Sequence, residues 1–257
     1  MLRGVDLTDT RRRALDRLNE HNISTTLVVT LKKGLNDGEI GEIIDFATKQ
    51  QCVRGVTFQP IQQAGRLENF DPARDRLTLG EVRQQILAQS PIFTPADIIP
   101  IPCHPDCLAM AYALKIDGQV IPLTGMVNPQ VLLHGDTNSI TFEKKPEMRD
   151  QLFKLFSTAA SPASSACDLK ELLCCLPKIA APDLSYDNVF RIIIMQFMDA
   201  YNLDIRSVKK TCVHIVHPDG RIIPFDTFNL FYRDDRELKL KELRGVYEPT
   251  ALTIRGV

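Results

Sequence analysis

The spacing of apolar and polar positions over the first ninety residues predicts three helices. Apolar residues at positions 14, 15 and 18 share one face of a helix that Thr8 or Thr10 caps and that ends near residue 21. Positions 40, 43, 44 and 47 give a second amphipathic helix, with Asn36 as its predicted cap. Thr78 and Glu81 form a capping box, which predicts a third helix through about residue 89.

Two runs between these helices predict buried strands. They are ISTTLVVT at 23–30 and VRGVTFQP at 53–60, and both are rich in β-branched residues. Alternation of helix and strand is typical of a parallel sheet, so we predict an α/β fold that is either doubly wound or part of a barrel. Such folds bind ligands at the carboxyl ends of their strands, which makes Thr57 and Gln59 candidates, although the same position also suits an ordinary strand end.

The pattern changes after residue 95. Asp-Gly pairs between apolar runs predict β-hairpins at 116–119 and 218–221. The continuous apolar run FRIIIMQF at 190–197 suits a buried strand or a buried helix, and periodicity does not decide between them. A helix near 147–158 and a small, polar loop at 157–166 are also predicted. We therefore predict two domains, residues 1–95 and residues 96–257.

Composition narrows the range of functions. The chain has 257 residues, 44% hydrophobic and 25% charged, which is typical of a globular protein. Its formal net charge of −1 provides no field to attract nucleic acid. No run of eighteen apolar residues occurs, and the first residues lack the apolar stretch of a signal peptide. We therefore expect a cytoplasmic protein with no transmembrane segment and no nucleic-acid partner.

Seven cysteines are the main candidates for chemistry. An odd number in a reducing compartment argues against a disulfide framework. Cys103 and Cys107 precede the first Asp-Gly hairpin, and Cys212 precedes the second, where the turns are expected to hold the strand ends rigid. Cys174 or Cys175 could supply a fourth thiolate. Four thiolates from three segments suit a tetrahedral site for zinc or an iron–sulfur cluster.

Simpler interpretations of the cysteines stay open. Cys52 and Cys167 are isolated and are predicted to be structural, and at least one of the adjacent pair at 174 and 175 suits a core thiol. The chain could be a non-catalytic interaction domain stabilised by zinc, or an α/β domain with buried thiols and no metal. The sequence contains no nucleophile elbow, phosphate-binding loop or dinucleotide fingerprint.

Three stretches together resemble the C-terminal part of a radical S-adenosylmethionine enzyme. They are GVTFQPIQQAGR (55–66), IPCHPDCLAMAYAL (101–114) and KKTCVHIVHPDGRIIPFDTFNLFYRD (209–234). The chain is most similar to the group that contains the tetraether lipid synthase and the class D methylases. The resemblance implies that residues 1–95 are the later strands of a partial (β/α) barrel and that residues 96–257 form an α+β auxiliary-cluster domain with β-hairpins.

The resemblance also implies site residues. Strand ends would face a cavity for S-adenosylmethionine and substrate, and cysteines of the second domain would hold an additional [4Fe–4S] cluster, with Asp226 as a possible oxygen ligand. The implied cofactor-binding residues are Thr26, Thr30, Thr57 and Gln59, and the implied metal ligands are Cys103, Cys107, Cys212 and one of Cys174 and Cys175.

One departure from the family bears directly on activity. The C-x-x-x-C-x-x-C loop that binds the catalytic cluster is absent, because position 110 is methionine where Cys103 and Cys107 would require a third cysteine. We therefore expect an N-terminally incomplete chain, inactive alone, whose partners are the missing barrel half and an electron donor. The complete enzyme would modify an unactivated carbon of a small molecule or lipid, by methylation or carbon–carbon coupling.

Overall fold

The structure is a computed structural model in which the following residues are described: 5–63, 70–101, 104–116, 118–126, 186–211, 213–233, 236, 238–240 and 242. The helix predicted near 147–158 and the loop predicted at 157–166 lie outside them. The chain divides into two compact units. One comprises Met1–Ile61 with Arg74–Gln196, and the other comprises Gln62–Ala73 with Phe197–Val257.

The first unit contains a mixed sheet of six strands. Its order is β1-β2-β6-β4-β3, and β5 also pairs with β4. β1, β2 and β6 are parallel, whereas β4 is antiparallel to β6, β3 and β5. The strands are β1 (Thr25–Leu31), β2 (Val53–Pro60), β3 (Ile99–Pro100), β4 (Leu108–Ile116), β5 (Gln119–Pro122) and β6 (Val189–Met195).

Helices cover one face of this sheet. Val56 and Phe58 of β2, with Ile192 and Ile194 of β6, belong to a core that also takes in the buried positions of α2 and α4. Gly41 of α2 allows the close approach of α4, because a Cβ there would lie 2.4 Å from a backbone oxygen of that helix. The helices of the first ninety residues are α1 (Thr8–Glu20), α2 (Ile40–Lys49, preceded by a 3₁₀ turn at Asp37–Glu39), α3 (Pro72–Asp75) and α4 (Leu79–Gln89).

The predicted helices occur, but two of the three predicted caps are wrong. The capping box of Thr78 and Glu81 is present at the start of α4. Neither Thr8 nor Thr10 caps α1; the Asp6 carboxylate instead accepts the Thr8 backbone N–H at 2.9 Å. The side chain of Asn36 does not cap a helix, because it accepts the Lys32 N–H and donates to the carbonyl that precedes the end of β1.

Strand burial differs between β6 and β1. The apolar run at 190–197 is a strand, and its position between β2 and β4 explains why almost every residue in it is apolar. β1 was predicted to be buried, and that prediction is wrong. It lies at the edge of the sheet, where Val28 is 55% exposed and Leu31 alone is fully buried.

Both predicted hairpins are confirmed. β4 and β5 flank the first turn, where Gly118 has φ +77°, and β7 (His214–Val216) and β8 (Ile222–Pro224) flank the second. Gly220 has φ +84° in that second turn, a conformation that favours glycine. The second unit also contains α5 (Ile205–Val208), α6 (Phe225–Thr227) and one turn of π-helix at Phe228–Tyr232.

The fold is therefore mixed α/β with a mixed sheet. The strands in the described ranges do not close into a barrel, and the partial barrel stays a prediction. Strands β3 to β6 follow residue 95 and complete the same sheet as β1 and β2, so the predicted boundary lies inside the first compact unit. The assignment of 96–257 to an auxiliary domain likewise stays a prediction. The longest helix in the described ranges has 13 residues, too few to cross a bilayer.

Candidate ligand-binding site on the open face of the sheet

The four predicted cofactor-binding residues lie on one face of the sheet. In the register of β1 and β2, Thr26 is opposite Gly55, Thr30 is opposite Gln59, and Thr57 is opposite an exposed valine. Residues paired across neighbouring strands project on the same side, and residues two apart on a strand share a face. The alternate residues of these strands, which project to the other side of the sheet, pack against the helices. We call the side opposite the helices the open face; it is exposed over β1, where Val28 is 55% exposed, whereas Tyr112 of β4 and Ile193 of β6 are buried.

Strand β6 adds an arginine to the open face. Arg191 is opposite Gly55, and Ile193 is opposite Thr57. A Cβ on Gly55 would lie 2.8 Å from the Cγ of Arg191 and 2.4 Å from its backbone oxygen. Glycine is therefore required where the arginine stem crosses β2. Sequence reasoning missed Arg191, although one signal was present: it is the single charged residue in FRIIIMQF.

The carboxyl ends of the parallel strands meet the amino end of β4. The amide Nε2 of Gln59 lies 3.9 Å from the sulfur of Met195, and Leu108 at the start of β4 pairs with Met195. Thr30, paired with Gln59, completes this edge on β1. Hydroxyl, amide and thioether groups thus line the edge of the sheet at which α/β folds bind ligands.

Cys107 lies at this same edge, directly before β4. Its N–H donates to the carbonyl of His104 at 3.2 Å, and its own carbonyl accepts the N–H of Gln196, directly after β6, at 2.8 Å. The expectation that the Asp-Gly turn holds Cys107 is wrong, because nine residues of β4, about 27 Å of strand, separate them. The end of β6 holds Cys107 instead, and the residue is 6% exposed.

The remaining candidate ligands do not form a metal centre in the described part of the chain. Within the described ranges, no group of three or more His, Cys, Asp or Glu side chains could hold a metal ion. Both carboxylate oxygens of Asp226 accept hydrogen bonds, from the Met198 N–H at 2.6 Å and from the Thr211 hydroxyl at 3.3 Å. Cys52 is fully buried in the core, as predicted for a structural thiol. The cysteines outside the described residues are Cys103, Cys167, Cys174, Cys175 and Cys212.

A cavity of about 530 Å³ lies beside the edge strand β1. Thr30 and Asn36 line it on one side, and the segment that opens α1 lines it on the other. Asp6 already accepts the N–H and the hydroxyl of Thr8, and these hydrogen bonds hold the pKa of the Asp6 carboxyl below its usual value. The start of this helix therefore has its own carboxylate, which disfavours a second anion there.

The opposite end of the sheet carries a cluster of polar groups that bond to one another. Arg54, 1% exposed, donates to the side chains of Asn22 and Asp187. Lys115 of β4 donates to the carbonyls of Gln50 and Val53, each at 2.8 Å. Burial, followed by the charge of Arg54, lowers the pKa of Lys115 to about 8. These contacts join β2, β4 and the segment before β6, which is a structural role.

Comparison with known proteins gives one informative relative. No protein-family model matches the chain. The chain is 27% identical over 276 aligned positions to the 7,8-dihydro-6-hydroxymethylpterin dimethyltransferase of Methanocaldococcus jannaschii. The match covers 92% of this chain and 54% of the relative, so the chain spans about half the relative's length. This likeness supports the resemblance to radical S-adenosylmethionine methylases, and it does not support the tetraether lipid synthase.

Proposed function

We propose that this chain is part of a radical S-adenosylmethionine methyltransferase that acts on an unactivated carbon of a small molecule. The observation that carries the proposal is the similarity to a dimethyltransferase along 92% of the chain. Methylation is favoured over carbon–carbon coupling because the relative's name describes methyl transfer. A reduced pterin is the first substrate class to test, for the same reason.

The open face is the proposed surface for cofactor and substrate. Thr30 and Gln59 offer a hydroxyl and an amide at the carboxyl edge, and Thr57, 7% exposed, offers a hydroxyl deeper on the face. When bound, S-adenosylmethionine and an iron–sulfur cluster supply the radical chemistry, while the protein binds, orients and excludes water. The polar side chains of β1 and β2 are proposed to orient the cofactor and substrate by hydrogen bonding.

An auxiliary [4Fe–4S] cluster remains part of the proposal. Its proposed ligands are Cys103, Cys107, Cys212 and one of Cys174 and Cys175. Among the described residues only Cys107 belongs to this set, and its support is its position beside the carboxyl edge of the sheet. An electron donor is the partner that such a cluster requires.

The edge of β1 is the proposed contact for the rest of the barrel. Among the strands of the described ranges, β1 pairs with β2 alone. Exposed apolar side chains surround this edge, and a long exposed edge strand is usually covered by another element. These side chains are Val5, Leu7, Ile23, Val28 and Leu35.

Metal content tests the iron–sulfur part of the proposal. The chain is purified and reconstituted anaerobically with iron and sulfide, and its iron, sulfide and zinc are measured together with visible absorption. We expect bound iron and sulfide, a marked loss in Cys107→Ser, and no loss in the control Cys52→Ala. Tightly bound zinc would favour the interaction domain, and absence of any metal would favour buried thiols.

Activity tests the methyl transfer. The coding region upstream is read for an in-frame C-x-x-x-C-x-x-C, and the extended protein is assayed under reducing, anaerobic conditions. We expect 5′-deoxyadenosine from S-adenosylmethionine and a methylated product from 7,8-dihydro-6-hydroxymethylpterin, detected by mass spectrometry. An extended protein that cleaves S-adenosylmethionine but methylates no pterin contradicts the substrate class alone.

A further inference from the structure

A cavity of about 410 Å³ lies within the second compact unit. This volume is typical of small-molecule sites in proteins, which span about 300 to 1,000 Å³. None of the residues around it is among those proposed above to bind cofactor, substrate or iron. The lining residues, all of the second unit, are Gln63, Ala200, Leu203, Leu230, Phe231 and Arg236.

A buried carboxylate holds one wall of the cavity in place. Asp199 is fully buried, and its Oδ2 accepts the N–H of Gln63 while its Oδ1 accepts the N–H of Tyr201, each at 2.9 Å. The first of these bonds joins positions that are 136 residues apart in the sequence. The segments that contain Gln63 and Ala200 are therefore fixed to each other by the fold itself, as is usual for a ligand site that is largely pre-formed.

The opposite wall is the single turn of π-helix at Phe228–Tyr232. The N–H of Arg233 donates to the carbonyl five residues before it at 3.0 Å. Single turns of π-helix are rare and are frequently found at functional sites. The buried side chain of Asn229 stabilises this turn, because it donates to the carbonyl of Phe225 and accepts from Nη1 of Arg233, each at 3.0 Å.

The two walls supply an apolar surface. Leu203, Leu230 and Phe231 line the cavity, and each of them is only partly buried. Covering such side chains with an apolar group is favourable in proportion to the area removed from water. The ring of Phe231 also favours a flat partner that stacks on its face or meets its edge. We therefore expect a ligand with a flat apolar portion.

The only charged side chain among the described residues that line the cavity is positive. Arg236 is exposed, and its Nη1 donates to the carbonyl of Asn229 at 2.5 Å. This bond attaches the guanidinium to the π-helical turn, and Nε and Nη2 bond to no other residue of the described ranges. Guanidinium donors of this kind match the oxygens of a carboxylate or a phosphate. The amide of Gln63 adds a neutral donor at the same cavity.

We propose that this cavity binds an organic anion that combines a flat apolar portion with a carboxylate or a phosphate. The apolar portion packs against Leu203 and Phe231, and the oxyanion accepts hydrogen bonds from Arg236 and from the side-chain amide of Gln63. Binding of this kind requires neither iron nor S-adenosylmethionine, so the proposal holds or fails independently of the proposed methyl transfer.

The first test measures how far binding depends on the positive charge. The probe is 8-anilinonaphthalene-1-sulfonate, an aromatic anion whose fluorescence rises on burial, and N-phenyl-1-naphthylamine is its neutral counterpart without the sulfonate. We expect Arg236→Gln to raise the dissociation constant of the anion about tenfold and that of the neutral probe less than about twofold. Arg236→Lys should retain part of the binding. The control Arg206→Gln, which removes an exposed arginine of the same unit, should change neither constant.

The second test fills the cavity. Ala200 is exposed and lines the cavity, so Ala200→Phe adds a ring there without replacing a buried side chain. We expect it to weaken both probes by about tenfold or more, whereas Ala14→Phe, at an exposed alanine of α1, should leave both unchanged. The thermal unfolding midpoint of each variant is measured first. Because Ala200 and Arg236 are altered separately, either variant decides the question if the other unfolds.

The third measurement identifies the oxyanion by competition with the anionic probe. Stronger displacement by benzoate than by benzyl alcohol identifies a carboxylate, stronger displacement by phenyl phosphate identifies a phosphate, and both together identify a site that accepts either group. If neither anion exceeds benzyl alcohol, or if Arg236→Gln and Ala200→Phe bind the anionic probe as tightly as the unaltered chain, the proposal is overturned. Binding that depends on Arg236 in a chain that takes up no iron on reconstitution counts against the proposed function and leaves this cavity standing as a ligand site.

Discussion

Two arginines of the same sheet differ sharply in their surroundings. Arg54, where the register of β2 against β1 shifts by one residue, donates through its terminal nitrogens to a backbone carbonyl and to the side chains of Asn22 and Asp187. Arg191, on the open face of β6, forms no such bond among the described residues. The Nε of Arg54 also lacks an acceptor, but three bonds to the rest of its guanidinium offset that loss.

The difference distinguishes a side chain that joins parts of the fold from one that does not. A partnered charge at the amino end of the strands joins segments that are distant in the sequence, and the chain retains it for stability. A partly exposed arginine with no partner among the described residues joins no segments, so the fold is expected to depend on it less. Both arginines look alike in the sequence, and only their contacts separate them.

The largest effect is expected where the backbone itself is crowded. In Gly55→Ala, the new Cβ would lie 2.4 Å from the backbone oxygen of Arg191. We expect a loss of about 3 kcal/mol or more in the free energy of unfolding, measured by denaturant titration. Arg191→Met should not rescue this variant, because the closest clash is with backbone and not with the arginine stem.

Gly80→Ala is the matched control for this substitution. It lies in the first turn of α4, where the nearest atom to a new Cβ is 4.0 Å away. We expect it to be neutral or to stabilise the protein by up to about 1 kcal/mol, because alanine favours helix over glycine. A Gly55→Ala variant as stable as Gly80→Ala would show that β2 and β6 can move apart, which contradicts the close packing of the open face.

The second prediction compares the two arginines directly. Arg54→Met removes three hydrogen bonds from a charged donor, and we expect a loss of about 2 kcal/mol in the free energy of unfolding. Arg191→Met should cost nothing or stabilise the protein. The quantity to measure is the difference between the two variants under identical conditions. Equal losses would erase the distinction between a partnered and an unpartnered arginine.

The sequence predicted elements whose signals are local. β2 has the bounds predicted from VRGVTFQP, and α4 begins at the capping box of Thr78 and Glu81, because both signals lie inside the element itself. The cap predicted at Asn36 failed because its side chain bonds to Lys32 and Thr30, before the helix. A polar residue followed three positions later by glutamate therefore gives a cap at Thr78 and a turn at Asn36.

Features that depend on distant pairing could not be predicted. The run that contains Arg191 fitted a helix and a strand equally, and pairing with β2 and β4 decided it. The close contact of Arg191 with Gly55 depends on the register of β6 against β2, which no local pattern reports. The position of Cys107 was mistaken because the strand between it and the turn is long, so that the turn and the cysteine lie at opposite ends.

The third prediction concerns a fully partnered group at the surface. The Thr78 hydroxyl accepts the Glu81 N–H at 3.2 Å, and the Glu81 carboxylate accepts the Thr78 N–H at 2.8 Å. Thr78→Ala should cost about 1 kcal/mol in the free energy of unfolding, and Thr78→Ser should cost less because the acceptor remains. Similar losses in the two variants would mean that the side-chain cap contributes nothing.

The smallest effect is a pH dependence at the partnered end of the sheet. Burial and the charge of Arg54 lower the pKa of Lys115 from 10.5 to about 8 in the folded protein. The unfolded chain therefore binds more protons than the folded chain between these values, so stability should rise as the pH increases from about 8 to 10.5. The rise should be modest, because Lys115 is partly exposed and solvent screens its charge.

Three variants test this pH dependence. Lys115→Met should remove the rise in stability that this residue contributes. Arg54→Met should make that rise smaller, since removing the neighbouring charge raises the pKa of Lys115 towards its ordinary value. Arg191→Met should leave the profile unchanged, because Arg191 does not contribute to the lowered pKa of Lys115. If Arg191→Met altered the profile as much as Arg54→Met does, the two arginines would share one electrostatic environment, and the contrast between the two ends of the sheet would be lost.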